Sequence, residues 1–239
     1  MTAAGSGADA GAGADSGPGP TEWQAGGVPG PPVGVGPWAD EYPGEPRPTG
    51  DRWDPELLDA GDRRNVVDRY RYWTREAIVA DLDARRHPFH VAIENFGHDA
   101  NIGTVVRTAN AFLAAEVHIV GRRRWNRRGA MVTDRYQHIR HHGDVGALMD
   151  WAAGRDLPVI AVDNLPGAEP LETARLPRAC VLLFGQEGPG VSDDARRAAG
   201  RTVSIAQFGS TRSINAGVAA GIAMHAWIRD HAASGLDGG

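Results

Sequence analysis

The chain has 239 residues, enough for one domain with a sizeable core plus accessory segments, and its single cysteine, Cys180, excludes a disulfide framework and is compatible with a reducing compartment. The formal net charge of −5 belongs to residues 1–50, which hold six acids and one arginine; the other 189 residues balance 24 acids against 24 bases, so any nucleic-acid contact must come from local clusters. No apolar run reaches the roughly 18 residues of a membrane span, and no apolar stretch after Met1 suits a secretory leader.

Residues 1–50 contain 13 glycines and 9 prolines and no periodic apolar pattern. Such a stretch buries too little apolar surface to offset its ordering entropy, so a disordered tail is expected. From 51 to 86 the composition turns charged and aliphatic. Asp54 followed by Pro55 reads as a helix start, aspartate capping and proline in the first turn. Val66, Val67, Tyr70, Trp73, Ala77 and Val79 recur at roughly helical spacing, which predicts a helical extension of one or two helices.

From 87 to 232 strands and helices alternate. Short apolar runs predict strands over 89–93, 116–120, 158–162, 180–184 and 202–205. Helical patterns fall over 101–115, 146–153, 193–199 and 213–230, and residues 233–239 read as a flexible end. In the 101–115 segment Ile102, Val105, Val106 and Ala109 share one side. Strands alternating with helices predict an α/β fold built on a mostly parallel sheet.

Three segments follow strand ends, where such folds place ligands. The first, 95–107, carries Asn101 at a helix start and Arg107 six residues on, able to project from neighbouring faces toward one cleft. A cap at Asn101 and a surface ion pair at Arg107 fit the same spacing. The second, 184–190, reads Phe-Gly-Gln-Glu-Gly-Pro-Gly. Its glycines permit close backbone approach and positive φ, but the spacing is not a dinucleotide fingerprint. With no lysine in the chain, a phosphate-binding P-loop is excluded. Glu187 is its informative member. In the third, 205–218, Ser213 is placed to cap a helix containing Asn215 and Gly217. A separate cluster, Arg122, Arg123, Arg124, Arg127 and Arg128 around Trp125, suits an RNA backbone and a stacking ring. His138, Arg140, His141 and His142 lack a cysteine or acid at ligand spacing, so no metal is expected.

Taken together, Asn101-Ile-Gly-x-x-x-Arg107-Thr108, Leu183-Phe-Gly-x-Glu187-Gly-x-Gly190 and Ser213-Ile-Asn215 with Val218 resemble the three motifs of the SpoU (TrmH-like) branch of the SPOUT methyltransferases, over about residues 89–230. The resemblance implies a C-terminal deep trefoil knot, a cytoplasmic homodimer and S-adenosylmethionine bound in the knot. It implies methyl transfer to a ribose 2′-hydroxyl of tRNA or rRNA. Arg107 would be the catalytic arginine, with Asn101, Glu187, Ser213 and Asn215 as the other polar site residues. Leu183, Gly185, Gly190, Ile205 and Ile214 would hold the cofactor. A ring-nitrogen methyltransferase of the same superfamily and an inactive knotted RNA-binding protein are the alternatives. Residues 1–86 offer no compact RNA-binding domain of the sort many relatives carry. RNA recognition is therefore expected from Arg63, Arg64, Arg69, Arg71 and Arg75 with the 122–128 cluster. Arg212 departs from the motif, where a small polar residue is expected.

Overall fold

Seven strands, every neighbouring pair parallel, form one sheet in the computed structural model, which describes residues 34–97 and 101–233. They are β1 (Phe89–Asn95), β2 (Val117–Gly121), β3 (Ile139–His142), β4 (Val159–Val162), β5 (Glu169–Pro170), β6 (Cys180–Phe184) and β7 (Arg201–Ser204). The helices are α1 (Trp38–Glu41), α2 (Pro55–Ala60), α3 (Arg75–Asp83), α4 (Ile102–Ala111), α5 (Val145–Ala153), α6 (Asp193–Ala198) and α7 (Ala216–His231). The sheet order is β3-β2-β1-β6-β4-β7-β5. The predicted α/β class and parallel sheet are therefore observed.

The pattern has a direct cause. Strands covered on both faces read as nearly unbroken apolar runs, and the period of two then sorts alternate residues between layers. Phe89, Val91 and Ile93 of β1 join Cys180, Leu182 and Phe184 of β6 under α4 and α7. Ala92, Val181 and Leu183 face the other way, toward Leu148 of α5 and Ala195 of α6. The buried stripe of α4, Ile102, Val105, Val106 and Ala109, is the one its spacing predicts. At the far end of α7, Trp227 is fully buried against Phe89, and its Nε1 donates to the carbonyls of Pro177 (3.2 Å) and Arg178 (3.1 Å). Strands β3 and β5 were not predicted. One is polar and half-exposed, the other spans two residues, and both lie at sheet edges, where sequence carries little apolar signal.

Residues 1–33 and 234–239 lie outside the described residues, and with them most of the predicted tail and the predicted flexible end. The rest of that tail, 34–50, corrects the expectation of disorder. Val35 and Asp62 exchange backbone hydrogen bonds of 3.0 and 2.9 Å, and Tyr72 Oη donates to the Gly36 carbonyl at 2.6 Å. Trp38 stacks on Tyr42 and meets Trp53 and Tyr72 edge-on. A few aromatic rings supply the area that a count of glycine and proline overlooks.

The extension holds two helices as expected. Asp54 caps α2, accepting from Glu56 N (3.0 Å) and Leu57 N (3.2 Å), with Pro55 at the first position. Between α2 and α3 the hub is Asp62, fully buried. It receives Arg64 Nε at 2.9 Å, Arg64 Nη2 at 2.7 Å and Tyr72 N at 3.0 Å. Arg64 also reaches the Trp73 carbonyl at 2.8 Å, and Arg71 the Arg64 carbonyl at 2.7 Å. Arg64 and Arg71 are thus internal struts, which corrects their assignment to RNA. Arg69 bonds Tyr70 and Asp81, and Arg75 bonds Glu76, but both remain at the surface together with Arg63.

Candidate active site

Because every strand runs the same way, the loops leaving β1, β2, β4, β6 and β7 gather at one edge of the sheet, the carboxyl edge where parallel folds bind ligands. Polar residues at two strand ends hold several of these loops: buried Asn95 and Glu94 at the end of β1, and half-buried Asp163 just past β4. Asn95, closing β1, donates from Nδ2 to the carbonyls of Arg122 (2.7 Å) and Arg124 (3.0 Å), tying the arginine cluster to the neighbouring strand. Glu94 accepts from Ser192 N (2.8 Å) and Ser192 Oγ (2.5 Å), and so anchors the far end of the 185–192 loop. Burial pushes the Glu94 carboxyl above its ordinary range, against the pull of those two donors. Asp163, just past β4, accepts from Val191 N at 2.9 Å.

The 185–190 loop is a small closed ring. Gln186 and Gly190 exchange backbone hydrogen bonds of 3.0 Å each, with Glu187, Gly188 and Pro189 at the tip. Gln186 Oε1 accepts from Phe96 N (3.1 Å) and from Gly97 N, which docks the ring on the loop after β1. Across it lies the 205–215 loop, where Asn164 Nδ2 donates to the Arg212 carbonyl at 3.1 Å.

Three of the five predicted polar residues meet. Asn101 Nδ2 donates to Glu187 Oε2 at 2.8 Å, and Asn215 Nδ2 donates to Asn101 Oδ1 at 2.9 Å. One side chain from each of the three motifs thus enters a single hydrogen-bonded chain. Asn101 makes no side-chain cap to its own helix, so its amide is spent on this junction. The cap of α7 is Asn215, accepting from Gly217 N (2.9 Å) and Val218 N (3.2 Å). That corrects the assignment of the cap to Ser213, and α7 begins three residues later than predicted. The two duties of Asn215 separate by mutation. Asn215→Ala is expected to lower stability by about 0.5–2 kcal/mol through loss of the cap. Asn215→Asp keeps the acceptor and is expected to hold stability within a few tenths while losing the bond to Asn101. Chemical denaturation of both variants checks this.

Beside this junction is a cavity of about 300 Å³. Gly185, Glu187 and Gly190 line one wall, Ile205, Ser213, Ile214 and Asn215 another, and Val162 and Asp163 the end of β4. Of the residues expected to hold a cofactor, Gly185, Gly190, Ile205 and Ile214 are all here. Leu183 is not: its side chain is fully buried on the opposite face of the sheet, in the layer under α5 and α6, because it lies two residues before the strand's exit from the sheet on the wrong parity. Arg107 does not line the cavity either. It is exposed on α4 and makes no hydrogen bond or ion pair among the described residues. Its neighbours on the helix are occupied: Gly103 packs on the backbone of Gly129 and Ala130, and Thr104 on Gly217 of α7.

The arginine cluster is exposed at all five positions, Arg122, Arg123, Arg124, Arg127 and Arg128, and sits on the cavity's edge of the sheet. Trp125 is half-buried against the core beneath α4, and Arg127 lies 5.7 Å from its ring centre. It is therefore a support for the loop more than a free stacking platform, a correction to the expected role. The reading of the sequence missed Asn95, Glu94, Asp163 and Gln186. Only the position of Asn95 and Glu94 at the end of an apolar strand hinted at them.

Comparison with known proteins follows this geometry. The pattern of the SpoU rRNA Methylase family matches residues 88–225. The tRNA (guanosine(18)-2′-O)-methyltransferase of Escherichia coli strain K12 is 25% identical over 167 residues, covering 68% of this chain and 73% of that one. An AdoMet-bound rRNA methyltransferase from Sinorhizobium meliloti superposes with a TM-score of 0.54 at 25% identity, over 63% of this chain and 59% of that one. The chain thus spans about three fifths of that relative. The A. aeolicus TrmH/SpoU tRNA modifying enzyme reaches a TM-score of 0.60 at 19% identity, over 67% and 84% of the two chains, a likeness of fold.

Proposed function

Because the chain belongs to the SpoU rRNA Methylase family, we propose that it transfers the methyl group of S-adenosylmethionine to a ribose 2′-hydroxyl of tRNA or rRNA. The observation that carries this reading is the hydrogen-bonded chain Glu187–Asn101–Asn215, which joins the three motif loops beside the cavity. The E. coli relative supports the ribose hydroxyl as acceptor, and the S. meliloti structure supports the donor.

The cavity suits the donor. Its volume is at the lower end of small-ligand sites. Ile205, Ile214 and Ala219 offer apolar walls for an adenine, the glycine ring offers backbone, and Glu187 and Asp163 offer negative charge for a cationic ligand. S-adenosylmethionine supplies an electrophilic methyl carbon when bound. The protein's work is then to align the hydroxyl and ease departure of its proton. A guanidinium stays protonated, which favours Arg107 orienting the hydroxyl and the adjacent phosphate and lowering the hydroxyl pKa electrostatically, with the proton passing to solvent water as the methyl carbon leaves sulfur for oxygen. Ser213, exposed at the cavity's mouth, and Asn101 position the ribose, while Glu187 and Asn215 hold the loops together.

RNA is met by the exposed arginines of 122–128, whose planar forks suit phosphate. A homodimer is proposed on two grounds. Arg107 is exposed and does not line its own chain's cavity, and α7 presents Val218 (54% exposed) and Ile222 (40% exposed) one turn apart on its outer face. The deep trefoil knot is supported by strand order: β6 lies between β1 and β4, and β7 between β4 and β5, so the chain twice enters a place between strands already laid. No helix among the described residues is long and apolar enough to cross a membrane, and an RNA substrate favours a cytoplasmic setting.

The test uses tritiated S-adenosylmethionine and RNA from cells lacking the gene. Label is expected in alkali-resistant dinucleotides, because a methylated ribose blocks cleavage of its own linkage. Label confined to mononucleotides would establish a ring-nitrogen methyltransferase instead. No incorporation, with no heat of S-adenosylmethionine binding, would leave an inactive RNA-binding protein.

A further inference from the structure

Away from the cavity, three imidazoles form a line across the first three strands. His90 Nδ1 lies 3.1 Å from His118 Nε2, and His118 Nδ1 lies 2.9 Å from His142 Nε2. Glu116 Oε2 is 3.9 Å from His118 Nε2. His90, Glu116 and His118 bring a donor atom each within 4.8 Å of one another. His90 and Glu116 stand at the amino ends of adjacent strands, whereas the cavity is at the carboxyl ends. The indole of Trp151, on α5, covers the group, with ring centres 5.0 Å from His90, 4.2 Å from His118 and 5.9 Å from His142. Its Nε1 is buried without an acceptor among the described residues.

We propose that His90 Nδ1, His118 Nε2 and the Glu116 carboxylate form a zinc(II) site that ties β1 to β2, with His142 as its outer support. Two nitrogens and one carboxylate oxygen are a three-ligand set zinc accepts, with a fourth place for water. At zinc–nitrogen bonds of about 2.0–2.1 Å, tetrahedral donors lie about 3.3 Å apart. The His90–His118 separation already meets that, and Glu116 closes in from 3.9 Å on His118. Burial of the two rings favours neutral imidazole, the form that offers a lone pair to a metal.

The protons also balance. In the metal-free line one proton is shared between His90 Nδ1 and His118 Nε2. When the ion takes that place the proton moves to His90 Nε2. With zinc on Nε2, His118 carries its proton on Nδ1, 2.9 Å from His142 Nε2 as acceptor, the arrangement that fixes a metal-bound imidazole. The charges facing the group are Glu116, Arg140, whose Nε is 3.0 Å from Glu116 Oε2, and Arg155 over the Trp151 ring. Two guanidiniums disfavour hard cations such as magnesium or calcium, which depend on oxygen charge, and leave an ion that bonds imidazole nitrogen.

The experiment uses untagged, full-length protein stripped with a chelator. Zinc chloride is titrated calorimetrically, and cobalt(II) chloride by visible absorption. One equivalent is expected, with the intense visible bands of a four-coordinate cobalt site and a melting temperature that rises with zinc. His90→Gln and Glu116→Gln, both at the solvent margin and outside the methyl-transfer site, are expected to keep methyl transfer and lose at least tenfold in zinc affinity. Absence of saturable binding to the wild-type protein overturns the proposal. So does equal binding by wild type and His90→Gln, which would locate the ion among surface groups such as His138 and Asp83.

Discussion

Replacing Arg107 by alanine is expected to lower methyl transfer about 10²–10³-fold, the usual cost of one positioned donor at a developing charge, with no loss of S-adenosylmethionine affinity. The expectation rests on where α4 puts this side chain. Ile102, Val105, Val106 and Ala109 take the buried stripe, Gly103 and Thr104 take the flanks, and Arg107 is left on the open face. It makes no hydrogen bond or ion pair among the described residues and lies outside the cavity lining. Alanine is at least as good a helix former, so the fold should be undisturbed and any loss is chemical. Arg107→Lys keeps the charge but not the planar fork, and it should recover only part of the rate. Single-turnover kinetics and calorimetry of both variants supply the measurement, and wild-type turnover by the alanine variant would remove Arg107 from the mechanism. If Arg107 serves the cavity of a second copy, mixing this variant with one damaged only in the cavity restores activity that neither has alone.

Much of this was readable along the chain. The unbroken apolar run of β6 and the nearly unbroken one of β1 read as strands covered on both sides, and the stripe of α4 follows from 3.6 residues per turn. Asn101, Glu187 and Asn215 were identifiable as a set through the resemblance of their segments to the three SpoU motifs, each in a stretch that follows a strand of a parallel fold. Their junction was not: the bonds from Asn101 to Glu187 and to Asn215 span 86 and 114 residues, and no local pattern records such a pairing. The same holds for the line His90–His118–His142, whose members fall on three strands and come together only through parallel register. Cap placement failed for a subtler reason. Ser213 and Asn215 are both good caps, and what decides between them is the length of loop needed to leave β7 and reach α4. Arg64 and Arg71 looked like surface charge because a buried aspartate partner, Asp62, has no signature in composition.

The glycines of the 185–190 ring offer a test that separates steric need from backbone need. At Gly185 φ is ordinary, yet an added Cβ would fall onto the backbone of Gly190 and Val191, which no side-chain adjustment relieves. Gly185→Ala must therefore open the paired hydrogen bonds between Gln186 and Gly190, each worth about 0.5–1.5 kcal/mol, and swing Glu187 off Asn101. Affinity for S-adenosylmethionine is expected to fall more than tenfold, about 1.4 kcal/mol or greater, and the melting temperature to fall by about 2–4 °C for each kcal/mol lost. Gly188 is the opposite case: φ is +94° but a Cβ there meets nothing, so Gly188→Ala should cost only the roughly 1–2 kcal/mol of a left-handed residue and leave most binding in place. Gly190, with φ of +74° and its Cβ position 2.6 Å from Asp163 Oδ2, should resemble Gly185. Calorimetric titration of the three alanine variants gives the order. Were Gly188→Ala the most damaging and Gly185→Ala neutral, the ring would not be the wall of the cofactor site. The close approach of strand end to loop, with no room for a single methyl, would then have another cause.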